Sequence, residues 1–70
     1  MNLSKVESNK VYKIISIPDV DMLESIGIRA GDTVIKKLTY PLGGPTIVEI
    51  DNREVAIGNK VAIKVAVEEV

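Results

Sequence analysis

Seventy residues, 9 of them basic and 10 acidic for a formal charge of −1, hold one domain (residues 1–70) with a core too small for generous stability. The chain has neither cysteine nor histidine, so packing alone must hold it. That composition excludes a disulfide-framed mini-protein, a zinc finger, an iron–sulfur protein and any catalytic triad that needs His or Cys.

Two tyrosines are the only aromatic residues, and Lys36-Lys37 is the only adjacent basic pair. Alternating strand geometry sends those two lysines to opposite faces. Composition thus argues against nucleic-acid binding, which favours a basic face with stacking aromatics. No apolar run exceeds three residues, too short for a membrane span or a secretion signal, so the expected location is the cytoplasm.

Ten valines and ten isoleucines stand against four leucines. β-Branched side chains pack well on pleated sheets and lose freedom in helices, so a mainly β domain is predicted. Leu3 to Asn9 is a polar lead-in in which Leu3 and Val6 cover the core. Lys10 to Ile17 reads as the first strand, with Tyr12 and Ile14 on one face and Val11 and Ile15 on the other, closed by Pro18. Asp19 to Ile26 is the one helical candidate. Asp19 or Asp21 caps its start, Met22, Leu23 and Ile26 share a face, and Gly27 supplies a left-handed cap.

Ala30-Gly31-Asp32 reads as a turn, and Thr33 to Tyr40 as the second strand, with Val34 and Leu38 facing one way and Ile35 the other. Pro41-Leu42-Gly43-Gly44-Pro45 is a loop. Thr46 to Ile50 and Arg53 to Ile57 form a hairpin about Asp51-Asn52, residue types that accept tight turns. Gly58-Asn59 breaks the chain. Ile63, Val65 and Val67 then alternate with Lys64, Ala66 and Glu68 in a last strand. Five short strands and one short helix predict a small, partly open barrel.

The segment Leu23-Glu24-Ser25-Ile26-Gly27-Ile28-Arg29-Ala30-Gly31-Asp32, followed by a strand and Pro-Leu-Gly-Gly-Pro, resembles the ferrous iron transport protein A (FeoA) family. Arg53-Glu54-Val55-Ala56-Ile57 and the opening Leu3-Ser4-x-Val6 are similar to that family's ending and start. The resemblance spans nearly the whole chain in order. It departs at Asn9, where the family often has glycine; asparagine is the next-best residue for positive φ.

The resemblance implies an SH3-like barrel that acts in the cytosol as an accessory of ferrous iron uptake. Its implied partner is the membrane ferrous iron transporter with a cytosolic G-protein domain. A similar barrel ends the iron-dependent repressors, but 70 residues leave no room for their helix-turn-helix.

Gly27, Gly31 and Gly58 are read as structural turn or cap residues; neither Gly27 nor Gly31 leads into a helix as a phosphate-binding loop requires. The stripe Met22, Leu23 and Ile26 is expected to cover one mouth of the barrel. Tyr40, Pro41, Leu42, Gly43, Gly44 and Pro45 form the candidate partner-binding loop. Prolines limit the entropy lost on docking, and Leu42 with Tyr40 offers a small apolar contact.

Asp19, Asp21, Glu24, Glu68 and Glu69 are expected to be solvated or capping groups, not metal ligands. Selective ferrous sites normally add His or Cys. No cofactor and no catalytic residue is therefore assigned. Three functions follow: a non-catalytic docking module for the transporter, a direct and weak Fe²⁺ binder or metallochaperone, and a structural homo-oligomer joined through strand edges.

Overall fold

A computed structural model describes residues 1–70. Seven elements follow in order: β1 (Lys10–Ser16), α1 (Val20–Ser25), β2 (Thr33–Thr39), β3 (Thr46–Ile50), β4 (Arg53–Ile57), α2 (Asn59–Ala62) and β5 (Ala66–Glu69). The strands make one antiparallel sheet in the order β4-β3-β2-β1-β5. The molecule measures 26 × 23 × 22 Å, so the sheet must curl, because a flat one would be thin along one axis. The curl stops short of closure, since β4 and β5 do not pair. This is the mainly β, partly open barrel that the Val/Ile-rich composition predicts.

Inside the curl lie Tyr12, Ile14, Val34, Val48, Ile50, Ile57 and Val67 from the strands, joined by Leu23, Ile28, Ala62 and Val65. Leu3 and Val6 of the lead-in complete the core as expected. The lead-in also closes one sheet edge. Asn2 bridges Ala66, the Leu3 N–H donates to Val65 O (3.0 Å), and the Val67 N–H donates to Met1 O (2.8 Å). Asn9 takes φ 64°, so the residue at the family's glycine position does adopt the left-handed conformation.

Helix α1 begins where Asp19 Oδ1 accepts from the Met22 N–H (3.3 Å). It ends in a Schellman motif: the Gly27 N–H donates to Glu24 O and the Ile28 N–H to Leu23 O, with Gly27 at φ 88°. Leu23 is buried in the core, Ile26 is half-buried against it and Met22 is exposed, so the apolar stripe turns inward through Leu23 and Ile26. The β3–β4 hairpin turns on Asp51-Asn52 with φ 51° and 62°, the mirror-image turn that suits strand twist.

Four expectations need correction. A second helix, α2, occupies 59–62, where the sequence predicts a break before a strand. Ile63 therefore lies outside β5 and is exposed, while Ala62 and Val65, three apart, turn inward. β1 ends at Ser16 and β2 at Thr39, one residue earlier than predicted in each case. In β2, Leu38 does not share the face of Val34. A register shift between Lys36 and Leu38 adds a residue to β2 and reverses the alternation, leaving Leu38 exposed and Thr39 turned toward Thr46.

Candidate functional site

The loop 40–45 joins β2 to β3 as the tip of a hairpin. The Tyr40 N–H donates to Pro45 O (2.9 Å) and the Gly44 N–H to Pro41 O (3.3 Å). Leu42 and Gly43 both take positive φ, 60° and 75°, which makes Pro41–Gly44 a tight mirror-image turn. Gly44 is required by space: a Cβ there would lie 2.6 Å from Tyr40 Cβ. Gly43 is required by conformation and faces open solvent.

Leu42 is fully exposed, with a relative accessibility of 103%, and Tyr40 is half exposed. A leucine in the left-handed region costs about 1 kcal/mol, and this one gains no burial in return. Folding alone gives no reason for it. All six residues of the candidate loop are thus brought together on one stiff projection, and Tyr40 borders the outward Leu38–Ile47 pair.

The other candidate residues are scattered. Asp19 caps α1, Asp21 and Glu24 are exposed, and Glu69 lies at the far side on β5. No three carboxylates come close enough to hold a metal ion. Gly27 and Gly31 (φ 96°) sit at left-handed turns. Gly58 occupies the N-cap position of α2 at φ −57°, with open space around it.

Two lysines carry chemistry that composition hid. Lys36 is buried, and its Nζ donates to Ser4 O (2.9 Å) and Val6 O (2.6 Å), with no carboxylate partner. Burial pushes its pKa below the ordinary lysine value. The signal was its position in β2, two residues from inward Val34. Lys10 lies between Glu69 (3.2 Å) and Glu7 (3.3 Å), and their hydrogen bonds, Glu69 first, hold it above the ordinary value. Beside this pair runs an open groove of about 420 Å³, lined by Val6, Glu7, Tyr12 and Glu69 among others.

The FeoA domain model matches residues 1–69. The chain belongs to the FeoA family, which acts in ferrous iron transport. Solved structures share the fold. The iron(II) transport protein A of Clostridium thermocellum superposes with a TM-score of 0.87 at 24% identity, over 100% of this chain and 46% of that one. An iron uptake regulatory protein (FeoA) gives 0.85 at 26% identity, over 99% and 94%.

Stenotrophomonas maltophilia FeoA, complexed with zinc and described as a prokaryotic SH3 domain protein, gives 0.76 at 22% identity, over 97% and 89%. This chain thus spans less than half of the Clostridium protein and nearly all of the other two. Comparison with curated proteins gave no match. No helix of this FeoA chain is long and apolar enough to cross a membrane.

Proposed function

We propose that this chain is a non-catalytic, cytosolic accessory of ferrous iron uptake. It docks on the cytosolic part of the membrane ferrous iron transporter and alters its assembly or activity. The observation that carries this reading is Leu42: fully exposed, conformationally costly, and held on a projection stiffened by two prolines and two hydrogen bonds. Such a side chain makes sense as one buried only on docking, which would contribute roughly 1.5–3 kcal/mol.

Leu42→Asp is therefore expected to weaken binding to the transporter's cytosolic G-protein domain roughly tenfold to hundredfold in a pull-down or titration. Its thermal midpoint should stay near that of the unaltered protein. Undiminished binding by the folded variant would place the docking surface elsewhere. The zinc complex of the Stenotrophomonas maltophilia protein supports a second reading, direct metal binding by the barrel.

A further inference from the structure

We infer that the free edge of β4 is a strand-addition site for an extended segment of another protein, one carrying an aliphatic and a basic residue two positions apart. The sheet has two edges and treats them differently. The β5 edge is closed by residues 1–3. The β4 edge pairs with nothing, and none of the hydrogen bonds outside the regular ladders involves residues 53–57.

In a two-residue hairpin the pair flanking the turn, here Ile50 and Arg53, is hydrogen-bonded, so bonded pairs recur at Val48–Val55 and Thr46–Ile57. The N–H and C=O groups of Glu54 and Ala56 therefore point away from β3, toward solvent. The strand contains no proline, lysine or bulge of the kind that commonly blocks an edge.

The rows of side chains that run across the outer face say what would fit. One row is Leu38–Ile47–Ala56, apolar up to the edge. A strand added there continues it with an aliphatic residue beside Ala56. The other row is Val11–Ile35–Glu49–Glu54. Glu49 is neutralised by Lys37 (3.2 Å), whereas Glu54 makes no ion pair. A cation beside Glu54 is the missing cross-strand partner.

The β4 edge of a second copy does not supply it. In a two-fold antiparallel pairing, Glu54 meets only residues of its own face: Asn52, Glu54, Ala56 or Gly58. One of those registers sets Glu54 against itself. Glu54 thus discourages self-pairing while it selects a basic strand.

The sheet is wholly antiparallel, so the probe is the capped peptide Thr-Val-Thr-Lys-Thr, whose valine and lysine then face Ala56 and Glu54. Titrated into ¹⁵N-labelled protein, it should shift the Glu54 and Ala56 amide signals and slow their hydrogen exchange. N-methylation of the valine and lysine amides should abolish binding, and N-methylation of the two flanking threonines should not. Glutamate in place of the lysine should weaken binding roughly tenfold, an attractive cross-strand pair traded for a repulsive one. Glu54→Lys, at an exposed position, should reverse that preference.

Four results would overturn the inference: no binding at millimolar peptide, shifts centred on another surface, indifference to N-methylation, or edge amides protected by self-association without peptide.

Discussion

Gly27 meets two requirements at once. Its φ of 88° closes helix α1, and the Arg53 guanidinium lies where a Cβ would project. The two demands differ in stiffness. A long arginine side chain can swing aside, but the backbone cannot leave the left-handed region without undoing the two bonds that end the helix. Gly27→Ala is therefore expected to cost about 1–2 kcal/mol in urea unfolding, and Arg53→Ala in the same chain should restore little of it. Recovery of most of the loss would mean that the arginine contact, and not the backbone, dictates glycine here.

Gly27 was legible because glycine is the one residue whose conformational freedom shows in the sequence. Lys36 was not. Hydropathy places every lysine outside, and only the alternation of its strand points the side chain inward, where two lead-in carbonyls receive it.

The lead-in is held to β2 by two opposed effects. Leu3 and Val6 enter the core, contributing roughly 3–5 kcal/mol together. The Lys36 ammonium loses water to bind Ser4 O and Val6 O, and Thr39 Oγ1 also donates to Ser4 O (2.9 Å). Because burial lowers the Lys36 pKa in the folded state, the unfolded chain binds the proton more tightly. The desolvation penalty is present in full below the folded pKa, and it fades as pH rises toward the unfolded value of 10.5.

Relative to Lys36→Met, the unaltered protein should thus gain stability as pH rises toward 10.5, measured by denaturant unfolding of both proteins. A difference that moves the other way would mean that the ammonium is stabilised, not penalised, by its site. The same segment shows why elements are read unevenly. The Asp51-Asn52 hairpin announces itself through turn residues between alternating runs. One turn of helix at α2 is too short to display a period, and the added residue in β2 leaves no mark in composition.

For the molecule as a whole, the distribution of carboxylates bears on the second reading, metal carriage. Ten acids are spread over the surface, Glu7, Glu49 and Glu69 already face lysines, and no three come together. Without His or Cys, a ferrous site would have to draw on oxygen donors alone, which suit harder cations and give little selectivity for Fe²⁺.

A ligand that binds only the folded state stabilises by RT ln(1 + [L]/Kd). At roughly 1 mM metal and a Kd of about 100 µM this is about 1.4 kcal/mol, or roughly 6–11 °C for a domain this small. Anaerobic melting with Fe²⁺, and separately with Zn²⁺, is expected to leave the midpoint within about 2 °C of the metal-free value. A saturable rise of roughly 4 °C or more would make the barrel itself the metal carrier and remove the ground for treating the hairpin tip as its working end.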